Sequence, residues 1–187
     1  MQESAVLSLA ATPEVDVARL YEEHAPFIGR VIWRLTGGGA HVDDLLQETF
    51  LVAFKKRAEL RSQHQARAWL YAIASHLCQR YNRGARRFSL FRSRYAREPG
   101  PRPVTRPDQA LEQEQTVAMV YEALSRLPFK HREAFVLYEL EELEGQEIAE
   151  MVGVPVGTVW TRLHHARKKF EARMRRRLST ETERAGS

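Results

Sequence analysis

Cysteine is nearly absent from this chain. A single residue, Cys78, stands among 187, which excludes an internal disulfide and any zinc site built from several cysteines, and leaves packing as its role. Long apolar runs are missing too. None approaches the roughly 20 residues that cross a bilayer, so no stable membrane insertion is expected. The N-terminus, Met1-Gln2-Glu3-Ser4 with a short apolar stretch to Ala11, lacks the basic start of a secretory signal, and a cytoplasmic location follows. Nowhere does apolar and polar alternation persist long enough to argue for a strand. The glycine run Gly37-Gly38-Gly39 is not followed by Gly-Lys-Ser/Thr, which removes a phosphate loop.

What is present is a soluble, charged composition, 43% hydrophobic and 28% charged, on a length that suits one medium domain or two small ones. The formal net charge of +5 is unevenly laid out. Residues 80–106 carry nine arginines against Glu98 alone, and residues 162–177 carry eight basic side chains against Glu171 alone. The remainder is therefore net acidic. Two basic blocks on an acidic chain point to separate polyanion contacts combined with surfaces for a partner that is not nucleic acid; one such block alone would read equally well as a solvated helix face.

Helical spacing dominates, and the chain reads as all-α: two small helical domains joined by a flexible linker. From Val15 to Leu35 the apolar positions predict two helical stretches, with Pro26 in the first turn of the second, stopped by Thr36-Gly37-Gly38-Gly39. Asp43 or Asp44 is expected to start the next helix, with Leu46, Phe50, Ala53 and Phe54 as its core stripe. A further helix carries Trp69, Leu70, Ile73, Ala74 and Leu77 and is expected to end near Arg83-Gly84-Ala85. Pro99, Gly100, Pro101, Pro103 and Pro107 among arginines then predict an extended linker over 86–110. The second domain, 111–177, opens with Leu111, Val117, Val120, Tyr121 and Leu124 at helical spacing, breaks at Leu127-Pro128 and resumes from about Lys130 to Leu140. It ends in a short helix around Ile148-Ala149, a Gly153-Val154-Pro155 turn and a long basic helix, the order of a helix-turn-helix.

In that last helix Val159, Leu163, Ala166, Phe170 and Met174 commit one face to packing. Trp160, Thr161, His164, His165 and Lys168 consequently look outward, an aromatic, a hydroxyl and two imidazoles suited to base edges and methyl groups in a major groove. Arg162, Arg167 and Lys169 can reach phosphates. The plain alternative is a surface helix whose Trp160 packs on a neighbouring loop.

Two blocks carry a resemblance over nearly the whole chain. Residues 43–54, Asp-Asp-Leu-Leu-Gln-Glu-Thr-Phe-Leu-Val-Ala-Phe, with Trp69-Leu-Tyr-Ala-Ile-Ala74 after them, resemble the second conserved region of bacterial sigma factors. Residues 124–167, with Leu127-Pro128, Arg132-Glu133, Glu147-Ile148-Ala149, Gly157-Thr158-Val159 and Ala166-Arg167, resemble the fourth. The length and the lack of a third structured domain are similar to the extracytoplasmic-function group. The resemblance implies a subunit of RNA polymerase that selects promoters and catalyses nothing. Its first domain, 15–85, would bind core RNA polymerase and capture the melted minus-ten element of promoter DNA. Its second would hold the minus-thirty-five duplex, and the linker would thread through the polymerase.

Residue by residue, Asp44, Gln47, Glu48 and Leu51 lie off the predicted core stripe and form an acidic and amide face with one apolar anchor, suited to a basic protein helix and so to polymerase. Candidates for the minus-ten contact are Arg61, Ser62, Gln63 and His64 in a polar loop, with Trp69, Ser75, His76, Gln79, Arg80 and Arg83, since a flipped base needs hydrogen-bond partners and a stacking wall. Trp69 reads equally well as core. Candidates for the minus-thirty-five contact are Trp160, Thr161, Arg162, His164, His165, Arg167 and Lys168. The sequence departs from the family pattern in places. His76 stands where asparagine is common, Glu144-Gly145 where serine or threonine often opens the helix-turn-helix, Trp160 where a polar residue is frequent, and His165 where arginine is. The linker is basic where an acidic one is common. Members of the group are often held by an anti-sigma factor, so a partner of that kind is expected.

Two other functional classes would use parts of this sequence. A stand-alone helix-turn-helix regulator would not need the Asp44 to Phe54 block or the Trp69 segment. A nucleic-acid enzyme would need metal ligands, but the neighbours Asp43-Asp44, Glu141-Glu142 and His164-His165 project about 100° apart on a helix and converge poorly on one ion. No catalytic residue, metal or cofactor is therefore expected.

Overall fold

A computed structural model describes residues 16–60, 62–95 and 109–185, the side chains of 86–95, 109–116 and 180–185 excepted. Seven α-helices and no strand occur among the described residues. Helix α1 spans Val17–Thr36 and is capped by Asp16, whose carboxylate accepts the N–H groups of Ala18 and Arg19. It ends at Gly37, which takes a left-handed φ of 91° and donates to the Trp33 carbonyl. The two expected stretches are thus one helix with Pro26 inside it. Pro26 and Glu22 are both exposed, so the carbonyl that loses its donor is open to water, and the proline is tolerated.

Helix α2, His41–Lys55, begins before the expected Asp43 or Asp44, which lie in its first turn and favour the positive helix end. Its buried positions are Leu45, Thr49, Phe50 and Ala53. This corrects the expected stripe: Leu46 is half-buried and Phe54 is 54% exposed. A helix turns about 100° per residue, so burying Leu45 rather than Leu46 rotates the whole face and leaves Phe54 on the rim.

Helix α3 spans Ala66–Tyr95. The linker expected over 86–110 therefore begins ten residues too early: no proline occurs until Pro99, and arginine, leucine and serine extend a helix at little cost. Its Pro/Gly-rich part, 96–108, lies outside the described residues. Helices α4 (Gln109–Ser125) and α5 (Phe129–Phe135) follow, then a π-helical turn over Val136–Leu140, α6 (Gly145–Val152) and α7 (Val156–Ala185).

The first half of the chain packs Ile28, Val31, Ile32 and Leu35 against Leu45, Phe50, Ala53, Leu70, Ala74 and Leu77. In the second half Leu124, Leu127, Phe135, Leu163 and Ala166 form a small core of their own. The two units do not stand apart: Val136, Leu137, Leu143, Ile148, Ala149, Met151 and Val159 continue the first core without a break. Polar groups stitch the same seam. Glu133 on α5 is 2% exposed and its Oε1 accepts from Tyr71 Oη at 2.8 Å and Ser75 Oγ at 2.5 Å, both on α3. Arg132 donates to the Leu35 carbonyl at 2.7 Å, and Glu141 takes Arg34 at 2.7 Å and Arg30 at 3.3 Å. Trp33 meets Tyr121 edge-on at 4.6 Å.

Candidate nucleic-acid interface

The turn between α6 and α7 follows from local chemistry. The Glu147 carboxylate accepts the Glu144 N–H at 2.9 Å, a carboxylate pair doing at this helix start what serine or threonine would do. Gly153 ends α6 with φ 66°, and the Val154 N–H reaches back to the Ala149 carbonyl. Helix α7 then presents two faces. Val159, Leu163 and Ala166 are buried, while Phe170, half-buried, rests on Phe135 with ring centres 4.9 Å apart. Opposite them Trp160, Thr161, His164, His165 and Lys168 are exposed, as the spacing predicts.

Within that face the side chains are not all equally free. Thr161 Oγ1 donates to the Gly157 carbonyl at 2.9 Å, which leaves its lone pairs outward as acceptors. Trp160 is 44% exposed but anchored, edge-on to Tyr138 at 5.4 Å and lying over Gly145. Packing and exposure thus coexist in one indole. Arg162 is half-buried, and Arg167 is tied to Glu139 at 2.6 Å. His165 stacks on His131 of α5, centres 5.7 Å apart and planes 18° from parallel. No pattern in the sequence singled out His131. Burial, then the nearby Lys169, His165 and Arg162, hold its pKa below the ordinary histidine value.

On the first unit, Asp44, Gln47 and Leu51 stand exposed along α2, Leu51 at 60%, while Glu48 is half-buried and bound to Arg80 of α3 at 2.5 Å. Beside them a cavity of about 680 Å³ is lined by Val17, Tyr21, Phe50, Phe54 and Arg57. Gln63 and His64 are exposed in a 3-10 turn that Ser62 caps; Arg61 lies outside the described residues. Along α3, Trp69 is half-buried against the core, Gln79 half-buried, and His76, Arg80 and Arg83 exposed. Ser75 is not on this open surface, because Glu133 covers it. Cys78 one turn further is fully buried, and desolvation with the Glu133 charge pushes its thiol up to about 12.

Comparison with known proteins joins these two surfaces. The model of Sigma-70 region 2 matches residues 20–88 and that of Sigma-70, region 4 matches residues 118–170. The ECF RNA polymerase sigma factor SigL of Mycobacterium tuberculosis is 32% identical over 165 residues, covering 86% of this chain and 90% of SigL. The chain belongs to the extracytoplasmic-function sigma factors. Another relative, the ECF RNA polymerase sigma factor SigE of Mycolicibacterium smegmatis, is 32% identical over 163 residues, and there the match spans 62% of the relative's length. Among solved structures, the fold is similar to the sigma factor RpoE in complex with the anti-sigma factor NepR from Bartonella quintana, with a TM-score of 0.61 at 19% identity over 84% of this chain and 96% of that one. CnrH in complex with the cytosolic domain of CnrY gives 0.58 at 22% identity over 83% and 85%.

Sigma factors of this family are transcription initiation factors, not enzymes: they bind core RNA polymerase and direct it to particular promoters, and that is the function of this chain. A stand-alone helix-turn-helix regulator is not favoured, since it would have no region 2. Among the described residues no helix is long and apolar enough to cross a membrane.

Proposed function

We propose that this sigma factor divides its work between three surfaces. Asp44, Gln47, Glu48 and Leu51 on α2 bind core polymerase. The loop Arg61 to His64 with Trp69, Ser75, His76, Gln79, Arg80 and Arg83 captures the minus-ten strand. Trp160, Thr161, Arg162, His164, His165, Arg167 and Lys168 on α7 hold the minus-thirty-five duplex. The observation that carries this reading is the pairing, in one chain, of an outward acidic and amide face on α2 with an outward aromatic, hydroxyl and imidazole face on α7. A basic helix of another protein complements the first; base edges complement the second.

The units are taken as 15–85 and 111–177, joined through the end of α3 and residues 96–108. The chain itself performs no catalysis and holds no metal or cofactor. It works in the cytoplasm, associated with the nucleoid once in holoenzyme. An anti-sigma partner is part of the proposal, supported by the fold's likeness to sigma factors solved with NepR and CnrY. Run-off transcription with core polymerase and promoter fragments tests the whole: promoter-specific transcripts that need both chain and core are expected, and specific DNA binding that ignores core would overturn it.

A further inference from the structure

The start of α7 carries no cation. Its residues Val156-Gly157-Thr158-Val159-Trp160-Thr161 include neither arginine nor lysine. The N-terminal residues of a recognition helix are the ones that reach base edges, and the commonest reader of guanine, a bidentate arginine or lysine on O6 and N7, is missing from them. The next arginines do not fill the gap. Arg162 is half-buried. Arg167, farther along, gives its Nε to Glu139 at 2.6 Å and lays its guanidinium 5.3 Å from the centre of the Tyr138 ring.

What stands there instead is apolar and fixed. Val156 and Trp160, one turn apart, are both exposed. Trp160 is held by two neighbours: its Cζ2 and Cη2 edge lies over Gly145, and Tyr138 meets it edge-on with ring centres 5.4 Å apart. Tyr138 belongs to the π-helical turn Val136–Leu140, a widened turn of a kind frequent at functional sites. An indole seated in this way has little side-chain freedom left to lose when a base arrives. Beside it, Thr161 Oγ1 has committed its proton to the Gly157 carbonyl at 2.9 Å, so it faces outward as an acceptor. In the major groove an acceptor meets an exocyclic amine, and an apolar edge meets the thymine C5 methyl; only an A·T pair offers both.

We infer that the start of α7 selects A·T pairs in the minus-thirty-five element, with Trp160 covering a thymine methyl and Thr161 accepting from the N6 amine of adenine in the same pair or the next. This inference rests on the reading of α7 as the minus-thirty-five helix and names the base class that the helix takes. Tyr138 enters as a positioning residue, acting through Trp160 rather than on DNA. His164 and His165 lie a turn farther along and can both donate and accept, so the assignment covers the bases under Trp160 and Thr161 alone.

The test uses holoenzyme, the full chain with core polymerase, offered promoter duplexes randomised over the minus-thirty-five element. Wild type should recover A·T at one or two adjacent positions. Deoxyuridine in place of the thymine there removes the methyl and keeps O4, and binding should fall about fourfold, the worth of one methyl-sized apolar contact. Trp160→Ala should bind the two duplexes equally. Tyr138→Leu should lose most of the difference, while Tyr138→Phe keeps it. Trp160→Arg should move the preference at that position to G·C, a gain that an unfolded helix could not produce. Purine deoxyriboside in place of the adenine removes the amine; it should weaken wild type and Thr161→Ser but not Thr161→Val, which has the same shape and no lone pair. Equal wild-type binding to thymine and deoxyuridine duplexes, or G·C pairs recovered throughout the element, would overturn the inference and leave the function intact. So would a folded Trp160→Ala holoenzyme that still distinguishes the methyl. Binding with no preference anywhere in the element would instead overturn the functional reading, and this inference with it.

Discussion

The indole of Trp160 lies so close over Gly145 that a β-carbon there would stand 2.3 Å from Trp160 Cζ2. No real side chain tolerates such an approach, so the glycine that opens α6 is there to admit the aromatic of α7. Gly145→Ala should push the indole off its seat against Tyr138 and cost about 1–3 kcal/mol by overpacking. Adding Trp160→Ala should recover much of the loss. A double-mutant cycle by thermal melting reads this coupling; additive effects would show that the two residues do not depend on each other.

Polymerase affinity tests the exposed side of α2. Asp44→Ala with Gln47→Ala should weaken association with core polymerase and leave the melting temperature nearly unchanged, because neither side chain is buried. Titration of labelled core gives the affinity, and an unaltered value would remove the proposed role of that face.

Substitutions along α7 should separate into three kinds. Thr161→Ala or His165→Ala should change base preference at one or two neighbouring positions of the minus-thirty-five element, at roughly 1–3 kcal/mol where a base contact is lost. Lys168→Ala should weaken all sequences alike and flatten the salt dependence. Phe170→Ala should lower the melting temperature instead, since it empties the contact with Phe135; as Phe170 is only half-buried, the cost should fall below the roughly 3–5 kcal/mol of a fully buried phenylalanine. A randomised duplex library combined with melting curves distinguishes them.

His131 predicts a pH dependence of stability. Its pKa is lowered in the fold by burial and by Lys169, His165 and Arg162, so below about pH 6.5, the ordinary histidine value, the unfolded chain takes up a proton that the folded one resists. Stability from this source is present above that pH and lost as pH falls through the lowered value. The melting temperature should drop between pH 7.5 and 5.5, and His131→Gln should drop less. Equal drops would assign the effect to other groups.

Much was legible in the sequence alone. Helix type, the stop at Gly37, the turn at Gly153 and the outward face of α7 rest on residues a few positions apart, and local spacing, left-handed glycine and the 3.6-residue period act within one or two turns. Where expectation and structure differ, either nothing local broke a helix or a distant surface decided. Leu45 rather than Leu46 is buried on α2 because α1 and α3 set which face is covered. Pro26 stays inside α1 and α3 runs on to Tyr95 because nothing local breaks them. Ser75 was legible as polar on a nucleic-acid helix, yet its partner is Glu133, fifty-eight residues away, and Cys78 is silenced by the same seam. Arg132-Glu133 was visible only as part of a family motif. Only the tertiary packing brings two self-contained patterns together, because a carboxylate finds its hydroxyl donors through the docking of two units, and no spacing along the chain encodes that meeting.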